Sequence, residues 1–249
     1  MINRVFTSNI RNVFAAGDLH GDYQSFRTIL DIYEKNRKKN SILIFLGDYA
    51  DRGSYGIEII TELNKLLDTR EDIIALKGNH EMYIDGKPFF YPCNLIYEAE
   101  EKYGSWKKFY QDIMLEFLAK LHMAAIVNNA FFVHAGISSK IRTKDDLMKP
   151  SKEMDLLWSD PSSIPGEHSN PRGAGVLFGE DITVKFLSSL NLKIIVRSHE
   201  PEKAAYGPYA EHEEKIITIN SSTSYGKPFL LKIDTMSLKY EPLFLDEKD

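Results

Sequence analysis

The sequence has a single cysteine, no excess of positive charge and no long apolar run. Cys93 has no second cysteine for a disulfide within the chain and no partner at the spacing of a zinc-thiolate site. The 31 Lys and Arg residues are outnumbered by 36 Asp and Glu residues, which leaves no broad basic field for a nucleic acid backbone. No apolar run approaches the roughly 18 residues that a membrane span needs. These absences predict a cytoplasmic protein that binds neither nucleic acid nor membrane.

The chain has enough apolar residues for one large core. Hydrophobic residues make up 43% of the 249 positions, and 12% of the positions are aromatic. Single hydrophobic cores grow to about this chain length before a protein divides into domains. We therefore predict one domain over residues 1–249.

Short apolar runs alternate with segments of helical period, which is typical of α/β architecture. Five runs end in a polar residue beside a glycine, serine or histidine, and they predict strands at 13–16, 42–46, 73–76, 131–133 and 194–196. Amphipathic helices are predicted around 26–33, 59–67 and 106–121, and the apolar face of the third is expected to be core. Ser54 is the expected N-cap of the second helix.

The pattern changes after His199. Runs at 215–219, 229–233 and 238–244 predict antiparallel strands that close a second sheet. The segment 160–175 is rich in Pro, Ser and Gly, and it predicts a surface loop bordering a site.

Polar side chains follow the five predicted strands. The carboxyl ends of strands line the ligand crevice of an open α/β sheet, so these side chains should converge. Asp18 and His20 are two residues apart and would point the same way on an extended chain. Asp48 has two carboxylate oxygens and can bridge two cations. The full set expected to hold two metal ions is Asp18, His20, Asp48, Asn79, His134 and His199.

This ligand set indicates a chemistry. Carboxylate, amide and imidazole ligands without thiolate suit manganese first, with iron or zinc as alternatives. Two such ions about 3.5–4 Å apart can lower the pKa of a bridging water and clamp an in-line phosphoryl displacement. Arg52 is then a candidate cationic hydrogen-bond donor to the phosphate oxygens, and His80 is a candidate acid for the leaving alkoxide. Asp51 can orient His80 and support its protonated form.

The three remaining histidines and Glu81 are not predicted to belong to the site. Each isolated Gly-Asp after an apolar run is usually only a turn, so the prediction depends on the joint placement of the motifs. His122, His168 and His212 fall in a helix or in polar loops, where a surface or packing role is expected. For Glu81 a structural salt bridge or hydrogen bond is as good an explanation as metal ligation.

Five blocks carry these residues: 17–21 (GDLHG), 47–53 (GDYADRG), 78–81 (GNHE), 134–136 (HAG) and 197–199 (RSH). In this order they resemble the signature blocks of the metal-dependent phosphoprotein phosphatases. The first three alone would indicate the wider calcineurin-like metallophosphoesterase superfamily. The segments 158–161 (WSDP) and 172–179 (RGAGVLFG) resemble the PPP-type serine/threonine phosphatases in particular.

The resemblance implies an α/β, calcineurin-like metallophosphoesterase fold with a central β-sandwich flanked by helices. For the metals it implies a first ion on Asp18, His20 and Asp48, and a second ion on Asp48, Asn79, His134 and His199. For the substrate it implies phosphate binding by Arg52, Arg172 and Asn79, proton donation by His80 with Asp51, and a border formed by Tyr225.

The chain departs from the family after its last motif. Residues 221–225 read SSTSY where the family has Ser-Ala-Pro-Asn-Tyr. Gly226 stands where the type-1 and type-2A branches have cysteine, which predicts no covalent capture there by cysteine-reactive toxins. The chain also ends soon after the last predicted strand, so a minimal catalytic domain is expected.

The function expected from the resemblance is a serine/threonine protein phosphatase. It would act on phosphorylated proteins by direct attack of a hydroxide that bridges the two metals. The alternative within enzymes is a nucleotide hydrolase similar to diadenosine tetraphosphatase, which ranks second because of the segments 158–161 and 172–179. A catalytically dead scaffold and a nuclease of the same superfamily are further alternatives, and the acidic balance of charge counts against the nuclease.

Overall fold

The computed structural model describes residues 5–6 and 10–245, whose strands form two main sheets and two small ones. The strands are β1 (Val5–Phe6), β2 (Asn12–Ala16), β3 (Ser41–Phe45), β4 (Ile73–Ala75), β5 (Tyr83–Ile84), β6 (Lys87–Pro88), β7 (Ala124–Val127), β8 (Ala130–Val133), β9 (Asp160–Pro161), β10 (Glu167–Ser169), β11 (Val176–Phe178), β12 (Ile194–Arg197), β13 (Tyr209–Glu211), β14 (Ile216–Thr218), β15 (Phe229–Asp234) and β16 (Tyr240–Phe244). The helices are α1 (Tyr23–Asn36), α2 (Gly56–Thr69), α3 (Leu95–Lys102), α4 (Trp106–Phe109), α5 (Leu115–Lys120), α6 (Glu153–Trp158) and α7 (Glu180–Leu190).

The two main sheets are built around parallel strands. One has the order β16-β15-β2-β3-β4, in which β2, β3 and β4 are parallel. The other has the order β1-β7-β8-β12-β14-β13, in which β8, β12 and β14 are parallel. The five strands predicted before His199 are therefore divided between two sheets, three in the first and two in the second.

Alternation along the strands explains why the sheets stack. Val13 and Ala15 of β2 pack into the same apolar cluster as Phe132 of β8, between the sheets. Phe14 of β2 faces the other way, toward α1 and α2, and Phe131 of β8 faces α7. A sandwich with helices on both outer faces follows, which confirms the predicted fold class.

The strands after His199 differ from the prediction. They do not close a separate sheet, because β14 joins the six-stranded sheet whereas β15 and β16 extend the five-stranded one beside β2. In β15, Leu230 packs toward the helices and Leu231 packs between the sheets. Both faces of this strand are therefore buried, one against the helix layer and the other against the opposite sheet.

Most of the segment 160–175 is irregular and exposed or half-buried, as its composition predicts, but the segment is more ordered than a plain loop. It contributes β9 and β10, which pair with β11 in a small sheet of order β10-β11-β9. Asp160 and Asn170 within it are buried. Strands of two and three residues are too short to leave a periodic signal in the sequence.

The start of α2 also differs from the prediction. The N-cap position is Tyr55 rather than Ser54, and it makes no side-chain capping bond. The Glu98 carboxylate of α3 caps the helix instead, accepting hydrogen bonds from the backbone N–H groups of Gly56 and Ile57 at 3.1 and 3.0 Å. A cap supplied by a distant helix has no local signature in the sequence.

The helix predicted around 106–121 forms as α4 and α5 joined by one π-helical turn, Tyr110–Met114. Phe109, Met114 and Phe117 are buried in the core beside α2, so the prediction that this face is core is confirmed. Within residues 5–6 and 10–245, no helix combines the length and apolar character needed to span a membrane.

Candidate metal centre

The polar residues that follow the parallel strands lie together at one end of the sandwich. Asp18 and Asp48 follow β2 and β3, and His134 follows β8 in the opposite sheet. His134 Nδ1 lies 3.8 Å from Asp18 Oδ1, and His134 Nε2 lies 3.5 Å from Asp48 Oδ1. His199, which follows β12, stacks edge-on against His134 with ring centroids 5.2 Å apart. Both sheets therefore contribute to one cluster.

The backbone turns sharply where these side chains project. His20, Asp48 and His199 have φ angles of 45°, 55° and 68°, in the left-handed region that non-glycine residues seldom occupy. The extended conformation considered for residues 18–20 is therefore wrong. The backbone N–H groups of Leu19 and His20 instead both donate to the Asp48 carbonyl, at 3.0 and 2.9 Å. These bonds fix the loop after β2 against the loop after β3.

A glycine is required where the second and third loops meet. A Cβ atom on Gly78 would lie 2.2 Å from Asp48 Oδ1 and 2.4 Å from the Asp48 backbone nitrogen. The close approach lets the His80 backbone N–H donate to Asp48 Oδ1 at 3.0 Å. Glu81 accepts from the backbone N–H groups of Asp48, Tyr49 and Gly78, which is the structural role considered for it.

Asp48 is shared by two groups of potential metal ligands. One group is His20, Asp48 and His80, and the other is Asp18, Asp48 and His134; within each group the ligand atoms lie within 4.8 Å of one another. His80, assigned from the sequence to proton donation, thus belongs to the first group, whereas Asp18 does not. Burial raises the pKa of Asp48 well above its ordinary value, and neighbouring Asp18 raises it further. A bound cation would offset that burial cost.

Three imidazoles present the same nitrogen to the cluster. Nδ1 of His20 donates to the Ala50 carbonyl at 3.0 Å, and Nδ1 of His134 donates to the Leu46 carbonyl at 3.0 Å. Nδ1 of His199 faces a carboxylate oxygen of Asp160 at 2.9 Å. In each ring the acceptor at Nδ1 holds the proton there and leaves the Nε2 lone pair for a metal ion.

The Nε2 atoms of His134 and His199 lack a suitable hydrogen-bond donor among the described residues, which is what a bound cation would compensate. Among the described residues, His199 Nε2 is buried and has no hydrogen-bond partner. His134 Nε2 lies 2.9 Å from Asn79 Oδ1, so two acceptors face each other when the proton is on Nδ1. A positive ion between such groups satisfies them all. The residues present therefore fit a metal centre.

His80 and Asp51 form a buried pair at the edge of the cluster. His80 Nδ1 donates to Asp51 Oδ2 at 2.7 Å, and Asp51 Oδ1 accepts from the Leu95 backbone N–H at 2.8 Å. Burial lowers the pKa of His80, but the carboxylates of Asp48 and Asp51 outweigh it and raise the pKa above its ordinary value. A cationic imidazole can donate a proton from Nε2.

Two arginines border the cluster from different sides. Arg52 donates to the Tyr225 hydroxyl, and its guanidinium carbon lies 5.5 Å from the centroid of the Tyr225 ring. The Tyr225 ring in turn lies 6.0 Å from the His20 ring. Arg172 Nε lies 3.1 Å from Asp160 Oδ2, which places this arginine beside the partner of His199. A cleft lined by His20, Tyr55, Thr223 and Ser224, among others, opens alongside.

Three residues that support the cluster were not assigned from the sequence. Ser198 Oγ donates to Asp18 Oδ1 at 2.6 Å and accepts from the Asp18 backbone N–H at 2.9 Å. Ser221 Oγ accepts from the Gly17 backbone N–H at 2.9 Å. Asp160 Oδ1 accepts a hydrogen bond from His199 Nδ1 at 2.9 Å. All three stand inside segments that resemble the family, 197–199, 158–161 and 221–225, which was the available signal, but nothing in those segments indicates the partner that each residue bonds.

Sequence comparison places the chain among known proteins. Residues 11–203 match the family described as calcineurin-like phosphoesterase. The chain is 33% identical over 227 residues to serine/threonine-protein phosphatase 5 of Arabidopsis thaliana, covering 86% of this chain and 40% of that protein. It is 34% identical over 224 residues to the protein of the same name in Solanum lycopersicum, covering 84% and 38%. The chain thus spans about 40% of the length of these relatives.

Solved structures share the fold. A protein serine/threonine phosphatase from Saccharomyces cerevisiae superposes with a TM-score of 0.74 at 23% identity, covering 97% of this chain and 82% of that one. A cold-active protein-tyrosine phosphatase from a Shewanella species superposes with a TM-score of 0.65 at 18% identity, covering 96% and 83%. A putative diadenosine tetraphosphatase gives a TM-score of 0.57 at 13% identity, with 96% of each chain covered.

Proposed function

Because the chain belongs to the calcineurin-like phosphoesterase family, we propose that it is a metal-dependent phosphatase acting on phosphorylated serine and threonine side chains of proteins. The main support is the cluster itself, in which ligands from both sheets meet around the shared Asp48, beside an acid pair and two arginines. The family implies a pair of divalent metal ions.

We propose the same ligand assignment that the sequence predicts. The first ion would be held by Asp18, His20 and Asp48, and the second by Asp48, Asn79, His134 and His199. When bound, such a pair supplies Lewis acidity that activates water and neutralises phosphoryl oxygens. Manganese is the proposed metal, because oxygen and imidazole ligands without thiolate suit it, and they also accommodate iron or zinc.

The remaining side chains would bind and protonate the substrate. Arg52, braced by the Tyr225 hydroxyl and ring, presents guanidinium N–H donors to phosphoryl oxygens. Arg172 and the Asn79 amide would contact the same group. His80, whose pKa is raised by the carboxylates of Asp48 and Asp51, would deliver its Nε2 proton to the oxygen of the departing serine or threonine.

The sequence relatives favour a phosphoprotein over a dinucleotide. Two relatives named serine/threonine-protein phosphatase 5 are at least 33% identical over more than 80% of the chain. The likeness to the putative diadenosine tetraphosphatase is at 13% identity and supports the fold alone. Nucleotide hydrolysis is therefore the second candidate.

We also propose that residues 1–249 act as one catalytic domain located in the cytoplasm. Its partners would be phosphorylated proteins as substrates, without nucleic acid or membrane. The net charge of -5 supports the exclusion of nucleic acid.

Hydrolysis by the purified chain tests the proposed function. Phosphate release from a phosphoserine or phosphothreonine peptide is compared with the appearance of mononucleotides from diadenosine tetraphosphate, whose cleavage frees no inorganic phosphate, each with added Mn²⁺ and after chelation. We expect faster hydrolysis of the peptide and loss of its hydrolysis after chelation. Faster attack on the dinucleotide would identify a nucleotide hydrolase, and inactivity on both substrates would support the scaffold alternative.

A further inference from the structure

Asp160 has a different set of partners on each of its two carboxylate oxygens. Oδ1 accepts from His199 Nδ1 at 2.9 Å and from Arg197 Nη2 at 2.7 Å. Oδ2 accepts from Arg172 Nε and from Asn170 Nδ2, both at 3.1 Å. The residue is the first of β9, in the segment whose composition predicts a loop, and it is only 4% exposed.

The Oδ1 contact determines which imidazole nitrogen of His199 is available to bind a cation. With its Nδ1 proton held by Asp160, the ring presents an Nε2 lone pair that is buried and has no partner among the described residues. Metal-bound imidazoles usually donate their other N–H to such an acceptor, and removing that acceptor typically weakens metal affinity about 10–100-fold.

The Oδ2 contact determines where Arg172 points. It uses Nε, one of the five N–H donors of a guanidinium, so the terminal donors remain for a phosphoryl group. The Arg172 side chain is 37% exposed although its partner is buried. Asn170 strengthens the arrangement, since its amide also donates to the Trp158 carbonyl at 2.8 Å and its Oδ1 accepts from the Arg172 backbone N–H at 2.9 Å.

Arg197 holds Asp160 from the opposite side. Its guanidinium is fully buried and lies 2.7 Å from an oxygen of Asp160 and 2.7 Å from an oxygen of Glu200. A buried guanidinium needs such partners, so a purely structural ion pair is the competing explanation for Asp160. Glu200 offers the matched control, because its side chain, although next to His199 in the chain, makes no described hydrogen bond or ion pair with His199 or Arg172.

We propose that Asp160 is a positioning residue that joins the two halves of the site, an assignment that rests on the proposed function. Through Oδ1 it orients His199 toward the second metal ion, and through Oδ2 it aims Arg172 at the phosphoryl group. It touches neither metal nor substrate itself. One carboxylate thereby couples the geometry of metal binding to that of phosphate binding.

Binding measurements on Asp160→Asn test this assignment. Mn²⁺ is titrated into the metal-stripped protein by calorimetry, and inorganic phosphate is measured as a competitive inhibitor of p-nitrophenyl phosphate hydrolysis. We expect one of two Mn²⁺ ions to bind about 10–100-fold more weakly, and the inhibition constant for phosphate to rise. Glu200→Gln should leave both quantities at wild-type values while lowering the unfolding temperature.

Two further variants keep the test decisive. Asp160→Glu keeps a charge for Arg197 but moves the oxygens, so the variant should fold and still bind both Mn²⁺ and phosphate more weakly. Arg172→Gln should weaken the binding of phosphate alone. Wild-type affinity for Mn²⁺ and phosphate in both Asp160 variants would overturn the assignment. A wild-type chain that binds fewer than two Mn²⁺ ions would overturn the proposed function and this assignment together.

Discussion

Burial and two neighbouring carboxylates have opposite effects on the pKa of the His80 imidazole. Burial disfavours the charged ring, but Asp51 at 2.7 Å and Asp48 nearby favour it more strongly, and the pKa rises. The Phe90 ring packs 4.3 Å away, centroid to centroid, and limits the positions that the imidazole can take. An oriented, protonated imidazole is what a leaving alkoxide requires.

We predict that His80→Ala loses turnover selectively. Release of phosphate from a phosphoserine peptide should fall about 100-fold or more, because a serine alkoxide leaves poorly without an acid. Hydrolysis of p-nitrophenyl phosphate should fall much less, since its leaving group hardly needs protonation. Steady-state rates on the two substrates check this, with Mn²⁺ affinity measured in parallel as the control. An equal loss on both substrates would refute the acid role.

Residue identities were predictable from the sequence, but the partners that orient them were not. Asp18, Asp48 and His134 each end a recognisable apolar run, and short runs with polar ends are visible in one dimension. Ser221 lies more than 200 positions from Gly17, to which it bonds. Only the pairing of β15 with β2 brings such distant residues together.

At the scale of single elements, α2 is held at its N-terminus by a side chain from α3. Glu98 is 8% exposed and binds the first two N–H groups of the helix as well as Lys102, at 3.2 Å. A carboxylate at this end also interacts favourably with the helix dipole. The loop that carries Arg52 runs directly into this helix, so the cap supports the site.

We predict that Glu98→Gln lowers the free energy of unfolding by about 0.5–2 kcal/mol, the range for an impaired N-terminal cap, because the amide keeps one acceptor oxygen and replaces the other with an NH₂ donor. Chemical denaturation checks the value. Glu58→Gln is the matched control, because Glu58 shares Lys102 at 2.8 Å but does not cap the helix. Equal losses in the two variants would show that the ion pair with Lys102, not the cap, is what matters.

A second inter-element contact is centred on Asp72, just before β4. Arg70 binds its carboxylate at 2.8 and 2.9 Å, and the Tyr33 hydroxyl of α1 donates to it at 2.9 Å. These partners, Arg70 foremost, lower the pKa of Asp72 to about 2. Because the folded-state pKa lies below the unfolded value of about 3.9, the stabilisation is present above that pH and is lost as the pH falls toward 2.

The expected effect of Asp72→Asn therefore depends on pH. The variant should be less stable than the wild type near neutral pH, by about 1 kcal/mol or less given the solvent around the site. The difference should shrink below pH ~4 and be smallest near pH ~2. Urea unfolding across this range measures it, and Glu34→Gln, which removes a more exposed partner of Arg70, should change stability less. A difference that is constant with pH would contradict the prediction.

The sequence predicted elements well where they are long and periodic. The helices α1 and α2 and all five strands that lead into the site lie within a few residues of their predicted bounds. Prediction from the sequence failed where an element depends on contacts with distant parts of the chain. Examples are the cap from Glu98, the two-residue strand β9 and the choice of sheet for β15. Periodicity shows which face of a strand is buried, but it does not show which sheet receives the strand.

At the scale of the whole molecule, the candidate centre connects the two sheets. Asp18 and Asp48 stand on one sheet, and His134 and His199 on the other, above a shared apolar interior that includes Val13 and Phe132. Metal binding should therefore stabilise the sandwich as a unit, because separating the sheets would dismantle the ligand set.

We predict that Mn²⁺ raises the unfolding temperature of the stripped protein. An ion held only by the folded state, at 100 times its dissociation constant, contributes about 2.7 kcal/mol. Thermal unfolding at increasing Mn²⁺ concentration checks this, with Mn²⁺ and excess chelator as the control. No shift at saturating Mn²⁺ would mean that the cluster does not hold the ion.

The overall fold was predictable because its motifs resemble a known family and its strands alternate with helices. The division of the strands between two sheets is consistent with that resemblance, but the apolar runs alone do not specify it. The cluster of acceptors around His134 and His199 is what gives the predicted ligand set its physical basis.

Two cations that share Asp48 are the premise of the proposed chemistry. The direct test is calorimetric titration of Mn²⁺ into metal-stripped wild type and Asp48→Asn, with phosphate release from p-nitrophenyl phosphate followed on the same samples. We expect two ions per wild-type chain, and joint weakening of both in the variant together with loss of activity. Loss of one ion while the other keeps wild-type affinity, or full activity in the metal-free protein, would contradict the shared centre.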